Sequence, residues 1–585
     1  MKRLSVVLVA ALILIGLLAM LGASTPGSSP AGPSGGGASA TPALDAGAKQ
    51  AQAAISPALL RSHTVFLSDD LFEGRGPGSR GDQLAAKYIA AQFERLGLEP
   101  AGGNGGYFQP VTLVGKKIDA PADLRVEGRG EPVEFKYFDD FVPYTGLEDA
   151  EVSVSGELVF AGYGITAPEF RWNDFKGMGM SGKILVLLVN DPPATREEPE
   201  LFGGKAMTYY GRWTYKYEEA ARQKAAGAIL IHTTESAGYP FKVVQSSWTG
   251  EQFELPRTPE SGTPEAERPL PLKAWVTEEV AQKIFAQAGL NLDSLRQAAT
   301  RRDFQPARLG LRASTRMKQT TRRIESANVI GLLPGRDPKH REEYVIYTAH
   351  YDHLGMGQAV NGDAIYNGAA DNAIGVAALL AIAEAMTKLP EGTRRSQVFA
   401  AVAAEEAGLL GSAHYARHPI FPPAETVANI NMDGLNQWGP TRDIVQVGSG
   451  KSELDEVAET VAGWNGMKLL PDQFPEKGFY YRSDQFSLAK IGVPALYFDN
   501  GLDVIGKPKG YGKQKFEEYT ANDYHQPSDV IKPDWDWSGA EQMARFVFQC
   551  GWLAANWERE FDWAPNSEFR AIRQESLRKA KEVQR

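Results

Sequence analysis

Residues 343–355 read EYVIYTAHYDHLG. The first seven are short, aromatic and β-branched, as a buried strand should be, and the run ends abruptly in His350, Asp352 and His353. In an open α/β sheet, ligands gather beyond the carboxyl ends of the strands, which is where these three side chains fall. Taken alone they could cap the strand and hydrogen-bond a loop, so the rest of the chain has to decide.

The same punctuation recurs downstream. NVIGLLPG, SQVFAAVAAEE, TVANINMDG and PALYFDN read as strands, while GVAALLAIAEAMTKL and FVFQCGWLAANWE read as helices. This alternation predicts an α/β fold, with helices layered on a mixed or mostly parallel sheet. Four further polar clusters share the placement of His350. Asp371 sits in NGAADNAIG before an Ala/Leu helix, Glu405 and Glu406 close VFAAVAAEE, Asp433 closes ANINMDG, and His525 lies in DYHQPSDV. Each alone has an ordinary role as a helix cap, a solvated strand end, a turn or a surface histidine. Together they supply what a pair of divalent cations needs: two imidazoles and at least three carboxylates, one to bridge the ions. A further carboxylate must stay off the metals to move a proton, and adjacent Glu405 and Glu406 suit that division of labour.

The whole chain sets the frame. Its 585 residues allow two or more domains, and a net charge of −10 argues against nucleic-acid binding. The single cysteine, Cys550, rules out an intramolecular disulfide and a cysteine-based zinc site. The start, MKRLSVVLVAALILIGLLAMLGAS, has a basic n-region, an apolar run to about Leu21 and small residues at Leu21-Gly22-Ala23. Residues 1–23 are therefore expected to be a secretory signal, or an anchor that tethers the chain to a membrane if uncleaved. The body is expected to be exported, whether periplasmic, secreted or membrane-anchored. Residues 24–55 are rich in Gly, Ser, Pro and Ala and read as a tether, with ordered structure expected from Ser56.

The ordered motifs AHYD, GAADN, EE, NMDG and a late YH resemble the catalytic domain of the zinc-dependent exopeptidase superfamily. That superfamily includes bacterial zinc aminopeptidases, plasma glutamate carboxypeptidase and glutamate carboxypeptidase II. The stretch LSDDLFEGRGPGSRGDQLAAKYIAAQFERLGLEPAG (67–102) is similar to the family's opening helices. The resemblance implies a three-layer, phosphorylase/hydrolase-like α/β domain with a mixed central sheet, formed by residues 56–113 and 310–560. GKILVLLVND and EEAARQKAAGAILIHT resemble a mainly β protease-associated domain, expected as an insert over residues 114–309. Residues 561–585 are expected to be a charged C-terminal tail.

By the same resemblance, His350, Asp371 and Asp433 would hold one zinc, and Asp371, Glu406 and His525 the other, with other divalent ions also compatible. Asp371 would bridge and Glu405 would be the general base. Asp352 would orient His350 from behind, Asp529 would do so for His525, and His353 would line the pocket. Tyr481 in YYRSDQF is a candidate catalytic tyrosine and Arg482 a candidate grip for a substrate carboxylate. Ile374 departs from relatives that carry a small hydroxyl residue there, which touches helix packing and not ligation.

The implied activity is hydrolysis of peptides by a metal-held water, as an aminopeptidase. A carboxypeptidase or dipeptidase of the same fold is the alternative. A one-zinc glutaminyl cyclase is disfavoured by the full ligand set, as is a metal-free receptor-like homologue. Side-chain preference and oligomeric state are not encoded in these motifs.

Overall fold

The computed structural model describes residues 41–583, apart from 104, 120–122, 238 and 257–267. The expected signal and most of the tether lie outside the described residues. Order begins before Ser56, in a short helix α1 (Ala46–Ala51) that Asp45 caps by accepting the N–H of Ala48 at 2.6 Å. Ala48, Ala51 and Ile55 are fully buried or nearly so. These small side chains, which look linker-like in composition, are what lets the helix sit close against its neighbours.

Helices α2 (Pro57–Leu67) and α3 (Arg80–Arg95) follow, capped by Ser56 and Ser79. A central mixed sheet contains β1 (Phe108–Ile118), β2 (Ala307–Leu333), β3 (Tyr344–His350), β4 (Ser396–Val402), β5 (Thr426–Asn431), β6 (Asp443–Val447), β7 (Lys468–Pro471) and β8 (Ala495–Asp499). Pairing gives the order β1-β2-β4-β3-β5-β8-β6-β7. The four middle strands, β4, β3, β5 and β8, are mutually parallel. His350 pairs with Val402, and Thr348 with Asn431, so the carboxyl ends of β3, β4 and β5 form one edge of the sheet.

Side chains alternate across these strands. Val345, Tyr347, Ala349, Phe399 and Ala401 face a core built with α2, α3, α4 (Ile374–Thr387) and α6 (Trp537–Asn556). Tyr344, Ile346, Val398, Ala400 and Val402 face the opposite side, with Tyr415 of α5 (Leu410–Arg417). The result is three layers. The segment Ala369–Thr387 is apolar and long enough to cross a membrane, but 94% of it is buried inside the fold. It is a core helix, and it starts at the residues that carry Asp371.

The 27-residue strand β2 is longer than the NVIGLLPG run suggests. Its second half pairs with β1 and β4, and its first half enters a second sheet with Leu124–Glu127 and Glu151–Phe160. That second sheet continues through Ile184–Leu188, Gly227–His232, Leu272–Thr277 and Phe141–Tyr144, with apolar clusters on both faces. It also carries helices Trp213–Arg222, Glu278–Ala288 and Leu292–Ala299.

The expected tail is instead packed structure. Phe561, Trp563, Phe569 and Arg573 are buried, and a helix spans Arg570–Val583. The Arg573 guanidinium donates to the carbonyls of Pro423 and Thr426. The aromatic residues anchor this segment, and its many charges reflect the exposed side of a helix.

Helix α6 lies tight against β3. A Cβ at Gly551 would stand 1.7 Å from the Tyr347 hydroxyl, and that ring is fully buried and stacked on Phe399 at 5.1 Å. We predict that Gly551→Ala lowers the thermal midpoint. The overpacking cost of about 1–3 kcal/mol outweighs the helix-propensity gain of up to about 1 kcal/mol. An unchanged or raised midpoint would contradict this packing.

Candidate metal centre

The five sequence-predicted ligands converge at the carboxyl edge of β3, β4 and β5. His350 ends β3 and is 1% exposed. Asp371 comes from the irregular turn Ala369–Ala373 that opens α4, where the Asp371–Asn372 peptide is cis. Glu405 and Glu406 follow β4 after Ala404, which turns the chain with φ +53°. Asp433 lies two residues past β5, and His525 arrives on a loop with φ +58°.

The geometry centres on Asp371. Its Oδ1 lies 3.3 Å from His350 Nε2, and its Oδ2 lies 3.2 Å from His525 Nε2. Asp433 Oδ1 is 3.2 Å from the same nitrogen of His350, and Glu406 Oε2 is 3.0 Å from the same nitrogen of His525. One ligand atom each from His350, Asp371 and Glu406 lie within 4.8 Å of one another. Both halves of the cluster thus pair one imidazole with one terminal carboxylate and share the Asp371 carboxylate. This donor set fits two borderline-to-hard divalent cations with a bridging ligand.

The charge balance fits as well. Burial would lower His350, but the carboxylates of Glu405 and Asp433, with Asp371 beside them, push it well above the usual histidine range. Glu406 acts likewise on His525. Against burial and the neighbouring Asp371, the imidazoles of His525 and His353 hold Glu406 down at about 2. Glu405 differs. Burial, together with Asp433, Glu406 and Asp484, raises its carboxyl well above the usual range despite the pull of His350. Nearby Asp484 is fully buried, and neither of its carboxylate oxygens has a hydrogen-bond partner among the described residues.

Three supporting roles differ from expectation. The Asp352 carboxylate oxygen is 3.8 Å from His350 Nδ1, which lies 3.3 Å from the Asp352 main-chain carbonyl instead. The carboxylate accepts the N–H groups of Glu405 and Glu406, at 3.0 and 3.3 Å. It therefore fixes the turn that separates the two glutamates. Asp529 does not reach His525; it accepts the N–H groups of Ala370 and Asp371, both at 3.0 Å. His353 does not line an open pocket. It is fully buried, with Nδ1 2.6 Å from Glu406 Oε1. Asn372 completes the scaffold by accepting the N–H of Gly434 at 2.9 Å and donating to Met432 O at 2.9 Å, tying the Asp371 turn to the end of β5.

Tyr481 is not brought to the cluster. Its hydroxyl lies 2.7 Å from Glu568 and 2.8 Å from Lys451, and the ring packs in an aromatic cluster with Phe486. A tyrosine beside the cluster is Tyr524, stacked on His525 with ring centroids 3.9 Å apart. Its position directly before the histidine in DYHQ was the available signal.

Residues 328–550, which hold the whole cluster, match the model of peptidase family M28. Aminopeptidase YwaD of Bacillus subtilis (strain 168) is 33% identical over 233 residues, covering 38% of this chain and 44% of that protein. Aminopeptidase NAALADL1 of Mus musculus is 38% identical over 113 residues, 18% of this chain and 13% of that protein. The chain spans less than half the length of these curated relatives. A solved aminopeptidase from Aneurinibacillus sp. strain AM-1 aligns with a TM-score of 0.49 at 18% identity, covering 88% of this chain and 97% of that one.

The carboxylates around His350 and His525 raise the proton affinity of both imidazoles, and a metal takes the unprotonated ring nitrogen. Adding Zn²⁺ to metal-free protein at pH 7 should therefore release protons and raise the thermal midpoint. The gain should shrink as the pH falls, since both histidines are raised and stay protonated longer. Unbuffered titration that shows binding without proton release would contradict these charge states.

Proposed function

We propose that the chain is an exported, two-metal zinc exopeptidase that removes N-terminal residues from peptides. The observation that carries this reading is the Asp371 carboxylate, whose two oxygens face two different histidines while Glu405 stands off both. His350, Asp371 and Asp433 would hold one ion, and His525, Asp371 and Glu406 the other. When bound, such ions polarise a carbonyl and make a neighbouring water more acidic.

The chain's own groups would do the rest. Glu405 has no charged hydrogen-bond partner among the described residues and sits in a setting that raises its proton affinity, so it would accept a proton from water and return it to the departing amine. The Asp352 carboxylate keeps Glu405 and Glu406 apart through their main-chain N–H groups. The Tyr524 phenol, beside His525 in the ring stack, would donate to an oxygen that gains charge. The second sheet, proposed as a protease-associated insert, would shape access. Met207 N donates to Pro475 O at 2.9 Å, and the Tyr209 ring lies 5.2 Å from Phe486, which fixes the insert to the M28 segment.

A second reading, hydrolysis of substrates that end in a free carboxylate, is favoured by one feature. Burial and the charge of Arg482 pull Arg212 down to about 9, near Tyr239 and Tyr524, and its Nε has no partner among the described residues. Dipeptides blocked at either end separate the two readings. The aminopeptidase reading predicts cleavage of a C-terminally amidated dipeptide and none of an N-acetylated one. The reverse result would establish the alternative.

The adjacent glutamates give the sharper test. Glu405→Gln should keep both ions and lose about 10²–10⁴-fold in kcat, whereas Glu406→Ala should lose metal. Elemental analysis beside turnover would contradict the assignment if Glu405→Gln loses metal or stays fully active.

A further inference from the structure

Arg75 belongs to neither the M28 segment nor the ligand set. It lies in the turn between α2 and α3, where Glu73, Gly74 and Arg75 all have positive φ, at 49°, 69° and 53°. A left-handed run that includes two non-glycine residues is costly, and something must hold it there. The side chain supplies the reason. Arg75 is 1% exposed, and its guanidinium donates to four main-chain carbonyls. Nε reaches Tyr351 O at 2.7 Å, and Nη1 reaches Leu67 O at 2.6 Å and Asn367 O at 2.7 Å. Nη2 reaches Gly368 O at 2.9 Å.

The choice of carbonyls is informative. Tyr351 lies between His350 and Asp352, and Asn367 and Gly368 lead into Asp371. One planar fork therefore spans the two loops whose side chains meet at 3.3 Å in the cluster. The backbone of the same turn is wedged between those loops. A Cβ at Gly74 would stand 2.4 Å from Tyr366 O and 2.6 Å from Gly355 O, and Arg75 O accepts the N–H of His353 at 3.4 Å. A buried guanidinium ordinarily finds a carboxylate. None of the hydrogen bonds of Arg75 goes to one; its charge instead faces Asp352, Asp529, Asp371 and Glu406 through space. Burial draws it down to about 10, so it stays charged at neutral pH.

We propose that Arg75 is the positioning residue of the metal centre: its guanidinium clamps the His350 loop to the Asp371 loop and so presets their spacing for two cations. This rests on the two-metal reading above. It is a specific demand on the fork, because lysine has the charge but cannot bridge carbonyls of two loops with a rigid set of donors. Groups behind metal ligands typically change metal affinity by about 10–100-fold, and that is the loss expected here.

The test uses Co²⁺ alone as the probe, with the full chain stripped of metal. Visible absorption of the bound cobalt reports the ligand geometry, and titration against a competing chelator reports affinity. Arg75→Ala, checked for folding by circular dichroism, should bind Co²⁺ about 10–100-fold more weakly with an altered spectrum. Added guanidinium ion should restore part of both, a rescue that a general loss of stability would not show. Should the alanine variant not fold, Arg75→Lys carries the test, and the same loss is expected of it. An Arg75→Ala or Arg75→Lys protein with wild-type cobalt affinity and spectrum would overturn the proposal. Wild-type protein that takes up no cobalt would overturn the two-metal reading itself, so the two failures are distinguishable.

Discussion

One carboxylate faces two histidines at once, and its neighbours are arranged around that placement. Asp371 presents Oδ1 toward His350 and Oδ2 toward His525, and every neighbouring contact limits how it can move. Asp529 holds its N–H from below, Asn372 ties the adjoining turn to the β5 end, and Arg75 grips the chain just before it. Behind the turn, α4 is buried along almost its whole length between α2, α6 and the sheet. A helix apolar at nearly every position is buried on all sides but one, so hydrophobic burial fixes where the polar turn must stand. The cost is a concentration of negative charge at the sheet edge, with Asp433, Glu405, Glu406 and Asp371 close together. The imidazoles of His350, His353 and His525 and the Arg75 guanidinium face that charge, and bound cations would offset the remainder.

The residues that converge at the sheet edge were legible in the sequence for a physical reason. Parallel strands buried on both faces read as unbroken apolar runs, so a polar residue at the carboxyl end of such a run stands out. EYVIYTAH, VFAAVAAEE and ANINMDG each announce a member of the cluster in this way. The Ala/Leu helix likewise marks Asp371 at its start. What the sequence hid were the partners. The resemblance gave Asp352 the role of orienting the His350 ring. The carboxylate instead reaches main-chain N–H groups 53 and 54 residues away. Asp529 looked like the companion of nearby His525 and serves Asp371, 158 residues distant. Main-chain donors carry no side-chain signature, so composition and spacing cannot reveal them.

Element lengths were obscured by polarity. The stretch formed by the first 20 residues of β2 reads ARLGLRASTRMKQTTRRIES, where Arg308, Arg312, Arg316 and Lys318 lie on the exposed face opposite buried Leu309, Leu311, Ala313 and Met317. It therefore looked like a change of domain texture, although one strand runs through both sheets. At the ends of the chain, low complexity near Ala46 and high charge near Arg570 concealed short helices pinned by a few apolar residues. Tyr481 was misplaced for a related reason: its aromatic neighbours belong to an internal cluster, and the tyrosine beside the centre is the less conspicuous Tyr524.

The central claim is that Asp371 bridges two ions. Crystals of the zinc-loaded protein, measured at the zinc absorption edge, would test it directly by anomalous scattering. The account predicts two peaks flanking Asp371, one about 2.0–2.2 Å from His350 and Asp433 ligand atoms and the other equally near His525 and Glu406. A single peak, or two peaks that do not share Asp371, would contradict it.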